Sequence, residues 1–550
     1  MMRRLAVIWL GLCLAGAALA QGSAGADPES MAREALGTEP GWAAVALWRD
    51  GQVSQATVRR DPGTAAAQAG RLAVSGPAPL FEIGSISKLF TGLLLAQAVE
   101  RGELSLDDTL GQLLRGTVDF ASDRVAAISL RQLVTHSSCL PRQFGNGRDF
   151  EAQIRDADRV DLLLALERQQ IDATAPCPAL YSNYGIAVLA EMLVRRYDKP
   201  WELLVSERIT EPLAMRDTLV QLGNQADRLV PALSGRSSVS PWTMKAFAGA
   251  GGLRSSAQDM VMFGRALLQG RAGPLGPAAE RMLTPLGSYE GREIGYAVFI
   301  HGPPERRTYS HDGLTGGYRA LLTMSPDNGE VMVALVSNRQ APLSAMAQAW
   351  WGKRYPVSDR AIDLPPSALA PLAGVYRADS GLALTVTLDD GRLYLRSRGG
   401  VFRAYIAVAP DSFTRPAGGA RIDFEREGTR VTGLALEQAG NRFKATRTAQ
   451  PAPAQVVLRA DAAQAFVGRF VVANASGPKI EFDVRDEHGQ LMVRSTRFPW
   501  DPVIPVPGEV DRFRYDNPDA ELQFERDAAG RVVALVLHQR GQLRALRAPD

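Results

Sequence analysis

The patterning of the chain changes at Leu364-Pro365-Pro366. Before this break, from about Asp27 to Tyr355, apolar runs of helical length alternate with short strand-like runs. After it helical periodicity all but vanishes, and short alternating stretches follow one another between turns such as Asp389-Asp390-Gly391 and Glu427-Gly428. A second break, Gln450-Pro451-Ala452-Pro453-Ala454, divides this later region in two, and the halves repeat each other. Leu372-Ala-Gly-Val-Tyr376 matches Phe466-Val-Gly-Arg-Phe470, and Gly391-Arg-Leu-Tyr-Leu-Arg-Ser397 matches Gly489-Gln-Leu-Met-Val-Arg-Ser495. Phe424-Glu-Arg426 matches Phe524-Glu-Arg526, and Leu434-Ala-Leu436 matches Leu535-Val-Leu537. The offset drifts only from 94 to 101 residues. A unit of that size made of short strands is too long for a solenoid and fits two small antiparallel barrels in tandem, over residues 366–449 and 459–549.

The first block, residues 27–355, reads differently. Ala43 to Leu47 and Gln52 to Val58 form a hairpin across Arg49-Asp50-Gly51. Leu89 to Arg101 is apolar nearly all round, the pattern of a buried helix, and Gly102 stops it. Tyr184 to Tyr197 is a second such helix, stopped at Lys199-Pro200. Tyr296 to Ile300, Tyr318 to Thr323 and Val331 to Ser337 read as strands. Strands at both ends with helices between them predict a sheet closed by the two ends of the block, beside a helical subdomain.

Residues 1–20 read as an address. Arg3 and Arg4 precede an apolar run from Leu5 to about Leu14, and Ala18-Leu19-Ala20 gives a small-x-small cleavage pattern. The run is too short for a membrane anchor, and no other apolar stretch reaches 18 residues, so the expectation is a secreted or periplasmic protein with no integral membrane segment. The net charge of +3 falls to +1 without Arg3 and Arg4, which leaves no electrostatic footprint for nucleic acid. Removal of the leader takes Cys13 and leaves Cys139 and Cys177, as a disulfide or as two buried thiols. The five histidines fall in no metal-ligand spacing, and neither a P-loop nor a G-x-S-x-G elbow occurs, so no metal and no cofactor are expected.

Three motifs in the first block carry chemistry. In Ser85-Ile86-Ser87-Lys88 the hydroxyl and the amine share one helix face, at the first turn of the buried helix, where backbone N–H groups favour a developing oxyanion. A lysine desolvated beside an apolar helix can activate a serine. The alternative is a helix cap and a surface lysine. The chain has six lysines, so roughly 0.3 chance occurrences of S-x-x-K are expected at usual serine frequency. The second occurrence, Ser476-Gly477-Pro478-Lys479, is discarded because Gly-Pro forbids the aligning helix. Tyr181-Ser182-Asn183 precedes the second buried helix. Its phenol can relay a proton if a neighbouring cation lowers its pKa, and the Asn183 amide offers a donor and an acceptor to a substrate amide. His311-Asp312-Gly313 follows a strand-like segment; Gly313 would let a substrate backbone approach, and the N–H of Leu314 could complete an oxyanion hole with that of Ser85. The alternative there is a hairpin turn with an exposed histidine.

In this order the three motifs resemble the penicillin-recognising serine hydrolases: class C β-lactamases, DD-peptidases, related esterases and D-aminopeptidases. The resemblance covers about residues 30 to 355, and Leu133-Val-Thr-His-Ser-Ser138, Glu211-Pro-Leu-Ala-Met-Arg-Asp217 and Ala250-Gly-Gly-Leu-Arg-Ser255 look like further blocks of that family. It implies an α/β fold, an antiparallel sheet flanked by helices, with Ser85 as the acylated nucleophile. Lys88 and Tyr181 would share the proton work, Asn183 would bind the substrate amide, and His311, Gly313 and Leu314 would line the cleft. The β-lactamases carry Lys-Thr-Gly where this chain has His311-Asp312-Gly313, which exchanges a permanent cation for a group titrating near neutrality. The His-x-Gly form resembles the esterase and D-aminopeptidase branches. Cys139 stands where the family usually has Gly and Cys177-Pro178 where it has Pro-Gly, which reads as one event, a disulfide bracing the cleft wall.

The whole layout looks like bacterial D-aminopeptidase, with two antiparallel eight-stranded, lipocalin-like barrels after the catalytic domain. In that family a barrel loop narrows the cleft, and Phe498-Pro-Trp-Asp-Pro502 is the candidate here; the alternative is that the barrels are spacers or oligomer contacts. The expected activity is hydrolysis through an acyl-enzyme, on small peptides or amides containing D-amino acids, including cell-wall fragments. A carboxylesterase, a weak class C-type β-lactamase and a slow penicillin-binding sensor are the alternatives.

Overall fold

The computed structural model describes residues 27–61, 70–71, 77–144, 154–171, 179–289, 292–343, 346, 350, 362–379, 381–389, 391–397, 402–415, 420–438, 441–453, 456–458, 460–472, 480–487, 489–496, 500–515, 520–539 and 541–549. The expected leader at residues 1–20, Cys177, Phe498 and Pro499, and the Ser476–Lys479 match lie outside them.

Nine strands form the sheet of the first block. In chain order they are β1 (Gly41–Arg49), β2 (Gln52–Arg60), β3 (Gly70–Arg71), β4 (Gly287–Tyr289), β5 (Arg292–Ile294), β6 (Phe299–His301), β7 (Thr308–Leu314), β8 (Arg319–Ser325) and β9 (Glu330–Val336). Their spatial order is β3-β2-β1-β9-β8-β7-β6-β5-β4, so β1 and β9 close the sheet from the two ends of the block, as expected. The β1–β2 hairpin turns on Asp50 and Gly51, both at positive φ (52° and 76°), the two-residue turn whose twist matches that of the strands. The strand expected from Tyr296 starts only at Phe299. Ala297 has φ 59°, and the Tyr296 carbonyl packs so tightly on Gly92 that a Cβ there would lie 2.2 Å from it.

Alternation along the strands gives the sheet two apolar faces. Val45, Leu47, Met332 and Ala334 face one way, against α1 (Pro28–Leu36). Ala44, Ala46, Val333 and Leu335 face the helical layer. That layer holds α2 (Ser87–Glu100), α3 (Leu130–Val134), α4 (Asn183–Tyr197), α5 (Ala248–Gly251) and α6 (Ala257–Leu268). From Ser87 to Ala98 every residue of α2 is buried, so its sequence has no polar face. α4 ends with Asp198 in the left-handed conformation (φ 49°), ahead of the expected Lys199-Pro200 stop. Among the described residues no helix is long and apolar enough to cross a membrane.

Eight antiparallel strands from Gly374–Arg377 to Asn441–Arg447 form a closed barrel. The last region forms a nine-stranded, nearly closed one, because its corner strand breaks at Val503 into Asp501–Pro502 and Ile504–Pro505. The second barrel, not the first, meets the first block through a buried ion pair. Arg494 bonds Glu39 (Nη1–Oε2, 2.8 Å) and Asp483 of its own barrel (2.9 Å), and passes close over Gly235. The guanidinium of Arg494 lies 4.7 Å from the Trp500 ring, and the backbone N–H of Trp500 donates to Gln340 Oε1 at 3.4 Å. The barrels join each other through Gln490, whose Oε1 accepts from the Phe402 N–H at 2.7 Å, and a small apolar cluster of Phe402, Val456 and Ile504.

Candidate active site

Ser85 sits in a single 3-10 turn, Gly84–Ile86, that leads directly into α2. Lys88 in the first turn of α2 is wholly buried, and its Nζ has three oxygen neighbours: Ser85 Oγ at 3.0 Å, Asn183 Oδ1 at 2.8 Å and the Ala250 carbonyl at 2.6 Å. Desolvation, with Arg142 adding to it and Asp312 opposing, holds the amine well below the usual lysine range. A neutral amine has two N–H bonds and one lone pair. Two of the three oxygens are carbonyls that can only accept, so they take both N–H bonds. In that neutral form the lone pair would be left for Ser85, whose hydroxyl can donate; in the charged form Nζ donates to all three oxygens.

Tyr181 lies just ahead of α4, and its phenol has the Ser85 hydroxyl as a hydrogen-bond partner. The condition attached to a proton relay, a phenol lowered by a neighbouring cation, is not met in the resting site. Arg142 does stand 5.2 Å from the ring, but desolvation outweighs it and pushes the phenol far above its ordinary value. Tyr181 is therefore a neutral phenol in the resting site. Asn183 opens α4 behind its cap Ser182, whose hydroxyl accepts from the Gly185 N–H at 2.8 Å and donates to the Pro141 carbonyl at 2.7 Å. Because Asn183 Oδ1 is taken by Lys88, the side chain offers the cleft its N–H donors, not the donor and acceptor expected.

The His311-Asp312-Gly313 motif lies within β7, not in a turn, and His311 is buried. Its Nδ1 is 2.7 Å from the Asp312 carbonyl, so Nδ1 carries the hydrogen. Desolvation outweighs the nearby Asp312 and pushes the imidazole down to about 4, so it does not titrate near neutrality as expected. Pairing of β7 with β6 stops at Ser310, while pairing with β8 runs on to Leu314. The 311–314 backbone is thus an open edge above Ser85. A Cβ on Gly313 would lie 2.0 Å from the Ile83 carbonyl and 3.3 Å from Ser85 N, so only glycine fits. Leu314 N lies close to Gly84, which brings it beside the Ser85 turn.

All three motifs thus meet in one cleft of about 340 Å³. Sequence reasoning missed part of its lining. Arg142, Arg292 and Arg339 face it together with Asp312, Trp242, Tyr289 and Phe299. Nothing in the spacing of these arginines singles them out, because each comes from a different segment. The Ala250 carbonyl was also missed, since any residue could supply it. Among the described residues those lining the cleft all precede residue 340, and Trp500 of the expected barrel loop stands on Gln340, next to Arg339. Cys139 is disulfide-bonded; Cys177 is not among the described residues.

A sequence profile of the beta-lactamase family matches residues 34–355. The D-alanyl-D-alanine-carboxypeptidase/endopeptidase AmpH of Escherichia coli (strain K12) is 30% identical over 203 residues, 37% of this chain and 52% of that protein, so the chain matches about half the length of this relative. Penicillin-binding protein 4* of Bacillus subtilis (strain 168) is 24% identical over 408 residues, 67% of this chain and 88% of that protein. The solved beta-lactamase/D-alanine carboxypeptidase from Pseudomonas syringae superposes with a TM-score of 0.50 at 17% identity, over 58% of this chain and 96% of that one, which shows the shared fold. The profile spans more than half of the chain, and the protein belongs to the beta-lactamase family, as a serine hydrolase with a D-alanyl-D-alanine-carboxypeptidase/endopeptidase among its relatives.

Proposed function

We propose that the protein works outside the cytoplasm and hydrolyses short peptides or amides containing D-amino acids, through an acyl-enzyme on Ser85. The observation that carries this reading is the buried amine of Lys88, held well below the usual lysine range by desolvation, 3.0 Å from Ser85 Oγ and between two oxygens that can only accept, so that in its neutral form its lone pair faces the Ser85 hydroxyl. As Ser85 Oγ attacks the carbonyl carbon, its proton passes to Lys88 Nζ. The oxyanion forms against the N–H groups of Ser85 and Leu314; as it collapses the C–N bond breaks, Tyr181 gives its proton to the departing amine, and the proton held on Lys88 Nζ returns to the phenol. Water then cleaves the ester and restores the serine hydroxyl. A substrate backbone laid along the open edge of β7 would gain strand-like hydrogen bonds, and the Asn183 amide would donate to its carbonyl.

The arginines support a substrate with a carboxylate. The cation absent at His311 is replaced in the cleft by Arg142, Arg292 and Arg339, and a guanidinium grips a carboxylate in two places. The leader at residues 1–20 and the disulfide at Cys139 support an oxidising, extracytoplasmic setting. The relative named as a D-alanyl-D-alanine carboxypeptidase/endopeptidase supports the D-peptide class.

The test is purified protein on D-Ala anilide, a D-Ala-D-Ala peptide, a chromogenic cephalosporin and a nitrophenyl ester. Ser85→Ala should remove at least about 10³-fold of kcat/KM on every active substrate and abolish fluorophosphonate labelling. Labelling that persists in Ser85→Ala ends the proposal, and turnover of the ester alone moves the substrate class to esters. Because Lys88 must be neutral to accept a proton, acylation should weaken as pH falls through its depressed value. A rate step near pH 6.5 that disappears in His311→Gln would contradict the neutral imidazole.

A further inference from the structure

The phenol of Tyr181 sits on a loop, between residues outside the description and the first turn of α4, yet the proposed chemistry needs it held to a fraction of an ångström. Among the described residues His136, just past the end of α3, holds it on both sides. The carbonyl of His136 accepts from the Leu180 N–H at 2.8 Å, and its Nδ1 accepts from the Ser182 N–H at 3.3 Å. The residues on either side of Tyr181 are thus tied to one histidine. The imidazole then lies against the Tyr181 ring itself, with centroids 4.4 Å apart at 38°.

The protonation of this histidine follows from its partners. A backbone N–H can only donate, so Nδ1 is bare and the ring hydrogen is on Nε2. Desolvation, the largest cause, holds the imidazole well below its ordinary value and so neutral, and the Arg142 guanidinium acts in the same direction. Its other ring neighbour is Tyr289, at 6.1 Å. The backbone of His136 is left-handed (φ 57°), which turns both its carbonyl and its ring toward the 180–182 segment. The loop beyond completes the splint: Pro141 accepts from the Ser182 hydroxyl, and the Arg142 carbonyl accepts from the Asn183 N–H at 3.0 Å.

We propose that His136 is a positioning residue that fixes the Tyr181 phenol over Ser85, by bonding the backbone on both sides of it and packing on its ring. This rests on the proton role given to Tyr181 above. His136 touches no substrate; it acts through the phenol.

The test uses three variants of the full chain. His136→Asn tolerates the left-handed backbone and keeps a side-chain acceptor within reach of Ser182. His136→Phe keeps a ring beside Tyr181 but has no acceptor. Tyr181→Phe removes the phenol. On an amide substrate His136→Phe should lower kcat about 10- to 100-fold with KM changed by less than about threefold, and His136→Asn should recover most of that loss. In the Tyr181→Phe background the His136→Phe penalty should disappear, since there is no hydroxyl left to misplace. A penalty of the same size in both backgrounds, or one carried by KM, overturns the proposal. If His136→Phe does not fold, the folded His136→Asn decides: its ring-free side chain must keep kcat within about tenfold while Tyr181→Phe does not. Full activity of Tyr181→Phe itself would instead overturn the role of the phenol.

Discussion

The two barrels are copies in detail and differ in what they touch. Both carry a register shift at the same place, between Glu425 and Arg426 in the first and Glu525 and Arg526 in the second. In each, that arginine bonds an aspartate at the start of the neighbouring strand, Arg426 to Asp411 at 2.8 Å and Arg526 to Asp511 at 2.9 Å. In each, an arginine lies over an aromatic ring at the same corner: Arg396 over Phe402 at 4.5 Å, and Arg494 over Trp500 at 4.7 Å. The corner of the first barrel faces the second, through Phe402 and Gln490, and the corner of the second faces the catalytic block, through Glu39 and Gln340. One inherited corner thus makes both joints. The lesson is that neighbourhood along the chain is a poor guide to neighbourhood in space, for the last unit carries the contact beside the cleft.

Arg494→Ala should show the largest effect. It strands the Glu39 carboxylate, which is 4% exposed, and removal of one partner of a buried pair costs about 3–5 kcal/mol. Denaturant unfolding followed by tryptophan fluorescence should register that loss in the catalytic block, while the matching Arg396→Ala leaves the block unmoved. Equal shifts of that transition would break the comparison. Gln490→Ala should cost about 1–3 kcal/mol, because it unpairs the buried Phe402 backbone, and should open the first barrel to protease while hydrolysis is retained. A loss of activity would mean that the first barrel also acts on the cleft. Gly235 lies at φ 62°, with room for a Cβ only 2.9 Å from Arg494 Nη1, so Gly235→Ala should cost about 1–2 kcal/mol. That penalty should shrink in an Arg494→Ala background if the contact is the joint described. The smallest effects are expected for Arg426→Ala and Arg526→Ala, each within about 0.2–1 kcal/mol, and equal to one another. Unequal melting shifts would sharpen the comparison by showing where the copies have diverged.

Much of this architecture was legible in the sequence because it is carried by side-chain identity. Alternation and turn residues announce the barrels, and the shared Phe-Glu-Arg segments mark them as copies. Ser85 and Lys88 show themselves by helical spacing, and Gly313 by the approach it permits. What remained hidden is carried by backbone atoms or by solitary residues. The Ala250 carbonyl has no signature, and Arg142, Arg292 and Arg339 converge only after folding. Burial also decides charge states that residue type alone does not give, for His311 reads as a group titrating near neutrality and desolvation pushes it down to about 4. His136 stood in a stretch resembling the family, yet its task depends on a left-handed backbone that spacing does not reveal.

The joint between Glu39 and Arg494 has a consequence for how the molecule is made. The two residues are 455 positions apart, so at about 5–20 residues per second a ribosome delivers the arginine roughly 20–90 s after the glutamate. Throughout that interval a nascent catalytic block has Glu39 near its own Arg60 but without Arg494. The final stretch to be synthesised is therefore the one that finishes the first, and a stop codon after the first barrel would leave Glu39 without the guanidinium that bonds its carboxylate.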